Sequence, residues 1–136
     1  MMSSKQIFYT ISSIILVIVV VITPTYHIKA QEENEENDPL IILTSIKNLL
    51  QKSITELNVG NYTGASELVD IAYIDNYEYI EDPLKELDKD LMEETEVMIR
   101  EDLASAIEDK KSLEENTTLH NNIKTNLDKA EQLFKK

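Results

Sequence analysis

The sequence has no cysteine and no tryptophan, and only two glycines and three prolines among its 136 residues. The lack of cysteine excludes a disulfide framework, a thiolate metal site and a cysteine nucleophile. Two glycines, Gly60 and Gly64, are too few for a dinucleotide-binding or phosphate-binding glycine loop. The scarcity of glycine and proline also argues against a turn-rich all-β protein.

Basic side chains are scarce as well. Lysine and arginine number 13 against 26 acidic residues, which gives a formal net charge of −13. Because proteins bind nucleic-acid phosphates mainly through lysine and arginine, we expect no nucleic-acid partner for so acidic a chain. The length fits one domain. The sequence therefore predicts an acidic, all-α protein.

The N-terminus carries a mostly apolar run over residues 7–22, preceded by Lys5 and ended by Pro24. Together with the small residue Ala30, this pattern predicts a secretory signal peptide over residues 1–30. Residues 7–26 also have the length that spans a bilayer, so an uncleaved transmembrane anchor is the alternative. A buried core helix is a third alternative, which the terminal position and the charged linker behind it disfavour. The first two alternatives both place residue 31 onward outside the cytoplasm.

Residues 31–38 (QEENEEND) form an acidic linker that we expect to be disordered. From residue 31 onward the chain holds 11 basic and 26 acidic side chains, a net charge of −15. Such self-repulsion favours solubility and weakens the compact state.

Four predicted helices fill residues 39–136, which indicates an up-down-up-down four-helix bundle. The second helix is expected over residues 62–81, followed by a short turn over 83–87. The first helix is expected to begin at Asp38-Pro39 and to end at Gly60, and Asp82-Pro83 is expected to end the second. The third is expected to begin at Asp88 and to end near Lys110-Lys111. The fourth is expected to begin at the capping box formed by Ser112 and Glu115.

Apolar spacing predicts which face each helix buries. For the second helix the expected stripe is Ala65, Leu68, Val69, Ala72, Asp75 or Asn76, and Tyr79, widened by Ile71, Ile74, Tyr77 and Ile80. The apolar residues of the third and fourth predicted helices recur in a pattern close to a heptad repeat. Such a pattern would also allow two copies of the chain to form a dimer.

Carboxylates on the second helix are the densest group with potential chemistry. Asp75, Glu78 and Asp82 are spaced to share one helix face, and Glu81 lies one turn from Glu78. Joined by Glu96 or Asp102 of the third helix, they could hold a hard cation, with the phenolates of Tyr73, Tyr77 and Tyr79 as further ligands for ferric iron. The alternative is an ordinary solvated acidic face.

Arg100 and His120 are the other candidates. Arg100 is expected to form an ion pair with Glu78 or Glu96, the latter at i,i+4 spacing. His120 falls on the seam of the fourth helix and is interpreted as a core-edge residue. No Glu-x-x-His or His-Glu-x-x-His pattern and no EF-hand loop is present. Because the sequence shows no nucleophile–base pair and no metal triad, we do not expect an enzyme.

Two glycosylation sequons are present, at Asn61 and Asn116. Both lie near predicted helix ends, where a glycan is expected to leave the core undisturbed.

Two segments carry a family resemblance: residues 72–81 (AYIDNYEYIE), followed by Pro83-Leu84, and residues 88–100 (DKDLMEETEVMIR). They resemble the extracytoplasmic helical domain of the high-affinity iron permease family, in the form of a short exported archaeal-type homologue. The resemblance implies that Asp75, Glu78, Glu81, Glu96 and Arg100 occupy the polar positions of the family pattern.

The chain departs from that family at its membrane signature. The permease motif R-E-G-x-E is not matched, since Arg100-Glu101 is followed by Asp102-Leu103, and no set of transmembrane helices follows. We therefore do not expect this chain to transport iron itself. The expectation is an exported or membrane-tethered, non-catalytic domain that binds iron or another hard cation as an accessory to uptake or storage. The alternative is a cell-envelope interaction or structural module without a metal site.

Overall fold

A computed structural model describes residues 37–136 of the chain, and this part is all-helical. Helix α1 is Pro39–Asn58. Helix α2 covers residues 62–87 as Tyr62–Ala72, a π-helical turn at Tyr73–Tyr77, and Glu78–Leu87. Helix α3 covers residues 89–108 as Lys89–Val97, a π-helical turn at Met98–Leu103, and Ala104–Glu108. Helix α4 is Leu113–Phe134.

The predicted signal peptide or anchor over residues 1–30, and the linker up to residue 36, lie outside the described residues. Among residues 37–136, no helix combines the length and the apolar character that crossing a membrane requires.

Most predicted helix ends are confirmed by their capping hydrogen bonds. The Asp38 carboxylate accepts a 2.8 Å hydrogen bond from the backbone N–H of Leu40 at the start of α1. After α1, Gly60 adopts a φ of 79°, a conformation that glycine reaches without steric cost. At the start of α4, Ser112 and Glu115 form both hydrogen bonds of the predicted capping box.

Helix α3 ends two residues earlier than the expected Lys110-Lys111 pair. Its last residue is Glu108, and the chain then closes on itself through N–H groups of Lys110 and Lys111, which bond the carbonyls of Ile107 and Ala106. This is the Schellman arrangement, and it requires a left-handed residue, here Lys110 with φ of 53°. This ending was not predictable from local sequence rules, because glycine usually occupies the left-handed position.

The prediction that Asp82-Pro83 ends the second helix is wrong. Helix α2 continues through Pro83 to Leu87, and Asp88 alone separates it from α3. The continuation keeps Leu84 one turn beyond Ile80, and both side chains are completely buried. Core packing of Leu84 therefore outweighs the local preference of a residue before proline for extended backbone.

The π-helical turn of α2 also changes which residues face the core. The buried stripe runs Ala65, Val69, Ala72 and then moves five residues to Tyr77, followed by Ile80 and Leu84. The extra residue in this turn rotates the helix, so the expected core position Tyr79 is 65% exposed and Ile71 and Ile74 are exposed too. The predicted stripe is thus correct at Ala65, Val69, Ala72, Tyr77 and Ile80, and wrong at Ile71, Ile74, Asp75 and Tyr79.

One core joins all four helices. Helix α1 packs against α2 and α4, α2 packs against α3, and α3 packs against α4. Completely buried residues from each helix meet there, among them Leu43, Ile46, Ile80, Ile99 and Leu127. Lys47 reinforces the α1–α4 contact with ion pairs to Asp128, at 3.0 Å, and Glu131.

Three polar side chains of α4 are buried, those of Asn116, His120 and Asn126. His120 is 5% exposed, which agrees with its interpretation as a core-edge residue, and burial lowers the pKa of its imidazole. Asn116 is completely buried and donates to the carbonyls of Lys111 and Ser112. The expectation that a glycan at Asn116 would leave the core undisturbed is therefore wrong, whereas Asn61 is exposed.

Candidate functional site

Four of the residues singled out from the sequence meet between α2 and α3. Tyr73 begins the π-helical turn of α2, Glu81 lies two turns further along the same helix, and Glu96 and Arg100 lie on the facing part of α3. Arg100 belongs to the second π-helical turn. We call Tyr73, Glu81, Glu96 and Arg100 the α2–α3 cluster. Single π-helical turns inside α-helices are frequent at functional sites.

Glu96 contacts two other members of the cluster, Tyr73 and Arg100. One of its carboxylate oxygens, Oε1, accepts a 3.3 Å hydrogen bond from the Tyr73 hydroxyl and lies 2.9 Å from a guanidinium nitrogen of Arg100. The Glu96 side chain is only 21% exposed. The predicted ion pair of Arg100 with Glu96 is confirmed, and the alternative partner Glu78 is not the one used.

Arg100 binds the cluster at its solvent side. Its second guanidinium nitrogen lies 2.8 Å from Oε1 of Glu101, and its guanidinium carbon is 5.9 Å from the centre of the Tyr73 ring. This contact is a cation–π interaction. The nearby carboxylates raise the pKa of the guanidinium, so Arg100 is a permanent positive charge here.

Glu81 is the incompletely satisfied member. Its Oε1 atom is buried and has no hydrogen-bond partner among the described residues. Burial raises the pKa of the Glu81 carboxyl, and the negative charge of Glu96 raises it further, while the Tyr73 hydroxyl and Arg100 offset part of the shift. A cation beside Glu81 and Glu96 would relieve both effects.

The other predicted ligands do not join this cluster as expected. Asp75, Glu78 and Asp82 are exposed, and Asp102 lines a cavity between α3 and α4 with Leu119. The regular spacing assumed for Asp75 and Glu78 fails because the π-helical turn ends between them. Within residues 37–136, no three histidine, aspartate or glutamate side chains are arranged to hold a metal ion.

The tyrosines proposed as extra ligands have three different roles. Tyr77 is completely buried and its hydroxyl donates to the backbone carbonyl of Met92, so it serves the core; burial raises the pKa of its phenol. Tyr79 points into solvent. Tyr73 alone places its hydroxyl beside a candidate ligand, and its ring stacks on that of Tyr77 at 6.3 Å.

No family model, curated protein or solved structure matches this chain. The resemblance to the helical domain of iron permeases therefore stays a prediction, carried by residues 72–84 and 88–100.

The α2–α3 cluster offers oxygen donors of one chemical type. Two carboxylates and one phenol are hard ligands, which suit hard cations such as ferric iron, Ca²⁺ or Mg²⁺. Because Arg100 already contacts Oε1 of Glu96, an entering cation would compete with it for that oxygen. Sequence reasoning named all four residues of the cluster, but it missed the central position of Tyr73 and the unsatisfied oxygen of Glu81.

Proposed function

We propose that this protein is an extracytoplasmic, non-catalytic helical domain that binds one hard cation, iron above all, at the α2–α3 cluster. Its role would be accessory to cation uptake or storage. The observation that carries the proposal is the buried, unpartnered Oε1 atom of Glu81, in a carboxyl group whose pKa is raised by the neighbouring Glu96. A charged carboxylate at this position destabilises the fold, and a bound cation would offset that cost.

The proposed arrangement of the domain is an up-down-up-down bundle, exported by residues 1–30 or tethered by residues 7–26. The topology is supported by the short connections before α2 and α3, which favour antiparallel neighbours. The extracytoplasmic location is supported by the apolar N-terminal run and the acidic segment that follows it.

Within the predicted ligand set, the proposal ranks the residues by their surroundings. Glu81 and Glu96 are the first ligands and Tyr73 the third. Glu78 stands close enough to Glu81 to contribute to the raised pKa of the Glu81 carboxyl, so it can complete the site from the solvent side. Asp75 is exposed within the π-helical turn and is the least favourably placed of Asp75, Glu78, Glu81 and Glu96.

The test is a thermal-shift titration of the purified full-length chain with ferrous and ferric iron, Ca²⁺, Mg²⁺, Zn²⁺ and Cu²⁺, at low and physiological salt. A site filled at about 100 times its dissociation constant adds about 2.7 kcal/mol. For a domain of this size, that corresponds to a rise of roughly ten degrees in the unfolding midpoint. We expect a shift with one metal that persists at physiological salt.

A pair of double variants provides the matched control. Glu81→Gln with Glu96→Gln removes the first ligands, whereas Glu67→Gln with Glu86→Gln removes two exposed carboxylates elsewhere on α2. The first pair is expected to abolish the shift and the second to retain it. Equal shifts with every cation, erased by salt, would indicate diffuse screening and overturn the proposal.

The second candidate function is a cell-envelope interaction module without a metal site. One observation favours it: residues 37–136 present no ready-made group of three metal-binding side chains. Under this alternative the acidic surface serves solubility and partner binding, and the metal titration gives only salt-sensitive shifts.

A further inference from the structure

A groove runs between α3 and α4, and the residues of α3 that line it are different from those in the α2–α3 cluster. Three cavities follow one another along it, with volumes of about 580, 650 and 260 Å³. Glu94 lines all three, so the three open on the same stretch of α3. We call these three neighbouring, open cavities the α3–α4 groove. It extends along α3 from Asp90 to Asp102, about 18 Å at 1.5 Å per residue.

Apolar side chains form part of the groove along its whole length. Leu91 and Leu133 line the first cavity, and Val97, Met98 and Leu119 line the second. Val97 is 40% exposed, and Met98, Leu119 and Leu133 are partly exposed. A partner that covers these side chains would gain hydrophobic burial that the isolated domain lacks.

The wall formed by α3 is acidic and its charges are not neutralised. Asp90, Glu94 and Asp102 form no ion pair with any of the described residues. By contrast, the acidic residues Asp128 and Glu131 of α4 are both paired with lysines. The unpaired carboxylates of the groove are therefore available to cations of a partner.

The opposite wall is formed by α4. At the second cavity it is neutral, with Leu119 and Asn122, whereas Lys129 and Lys136 line the first cavity. The part of the groove around the second cavity thus combines an apolar strip with one acidic wall, which is complementary to a helix with an apolar face flanked by lysine or arginine.

We propose that the α3–α4 groove docks a basic amphipathic helix of a partner protein, of about 12 residues, as a fifth helix of the assembly. Helix-in-groove binding supplies affinity through apolar anchors at i, i+3, i+4 and i+7. The unpaired carboxylates then select a basic partner and speed its association. The proposal does not depend on the cation site, because the residues that form the two are different.

The test uses a fluorescent 14-residue peptide of leucine and lysine arranged with helical periodicity, and a second peptide of the same composition in an order that has no apolar face. Fluorescence anisotropy measures binding of each to the full-length chain. We expect the amphipathic peptide to bind at least tenfold more tightly than the reordered one. An acidic peptide of leucine and glutamate is expected not to bind.

Matched variants of the protein locate the binding site. Glu94→Lys with Asp102→Lys reverses two unpaired charges of the groove, and Glu67→Lys with Glu86→Lys reverses two exposed charges on α2. Both variants carry the same net charge. The groove variant is expected to weaken binding at least tenfold and the α2 variant less than twofold. Val97→Gln is expected to weaken binding of the amphipathic peptide and to leave the reordered peptide unaffected.

Photo-crosslinking gives a readout that does not depend on affinity. A benzophenone on the apolar face of the peptide is expected to label residues 91–98 and 119–133. Equal weakening by both charge reversals, or equal binding of the two peptides, would show diffuse attraction and overturn the proposal. It would also be overturned if the chain sediments as a dimer that Val97→Gln dissociates, because the occupant would then be a second copy.

Discussion

The hydroxyl of Tyr77 donates a 2.8 Å hydrogen bond to the backbone carbonyl of Met92, which joins α2 to α3 inside the core. Tyr77 is completely buried, and its ring stacks on that of Tyr73 at an angle of 24°. Since Tyr73 in turn donates to Glu96, a continuous line of contacts leads from the core to the α2–α3 cluster. The positions of Tyr73 and Glu96 are therefore fixed by contacts that continue into the core.

Replacing Tyr77 by phenylalanine tests that connection. The substitution keeps the buried ring and removes one hydrogen bond, so we expect the free energy of unfolding to fall by about 1 kcal/mol. Tyr79→Phe is the control, because the side chain of Tyr79 is 65% exposed. Urea denaturation of both variants measures the difference. The inferred role of Tyr77 would be refuted if Tyr79→Phe cost as much.

The general architecture was predictable because its signals are local. Asp38, Gly60, Asp88 and Ser112 act as helix start or stop signals through their own side chains or backbone conformation, and each does so where expected. Apolar periodicity also identified buried residues of α2, among them Ala65, Val69 and Ile80.

The errors arise where tertiary packing overrides a local rule. Pro83 would normally end a helix, but burial of Leu84 keeps it inside α2. The π-helical turn at Tyr73–Tyr77 departs from the regular helical spacing on which the predicted stripe was based. The buried positions therefore step by five residues, from Ala72 to Tyr77, where regular spacing predicts three or four.

The sequence predicted which residues belong to the candidate site, but it did not predict how they are arranged in space. Asp75, Glu78 and Asp82 share a face only on a regular α-helix, and the π-helical turn removes that condition. The contact between Tyr73 and Glu96 joins residues 23 positions apart, which no local pattern specifies.

Lys47 provides the second prediction. Its ammonium group bridges Asp128 and Glu131 across the α1–α4 contact and is 21% exposed. Lys47→Met leaves the two carboxylates without their shared cation, so we expect a loss of about 1 kcal/mol that shrinks in high salt. Lys89→Met, which removes the exposed pair with Glu93, is expected to cost almost nothing. Thermal unfolding at two salt concentrations measures both, and equal losses would contradict the bridging role.

His120 makes stability depend on pH. Burial lowers the pKa of its imidazole in the folded chain, so the unfolded chain binds a proton more readily. Stability is therefore expected to fall as pH drops through about 6.5, the ordinary histidine pKa, with a slope of at most about 1.4 kcal/mol per pH unit. The loss ends once pH is below the folded pKa.

The measurement compares the native chain with His120→Leu by urea denaturation at pH 7.5, 6.5 and 5.5. The difference between the two free energies removes contributions from carboxylates and from His27, which both chains share. We expect the native chain to lose stability relative to the variant as pH falls. A difference that stays constant with pH would show that His120 titrates alike in the folded and unfolded chains.

Glu81 is expected to show the opposite pH dependence, and this links stability to the proposed site. Because burial and Glu96 raise the pKa of its carboxyl in the folded chain, the charged form is disfavoured there. Its contribution is favourable below the unfolded pKa of about 4.3 and is lost as pH rises through the folded pKa. Glu81→Gln should therefore be more stable than the native chain by a few degrees at pH 7, and the gap should close towards pH 4.

The control for Glu81→Gln is Glu86→Gln, an exposed change on the same helix that should produce no such gap. Measured without added metal, a stabilising Glu81→Gln would mean that the chain keeps a carboxylate at a cost in stability, as binding sites commonly do. If the same variant also loses the metal-dependent thermal shift, the Glu81 side chain both lowers the stability of the fold and binds the metal. A destabilising Glu81→Gln would instead make Glu81 an ordinary structural residue, and the cation site would lose its principal support.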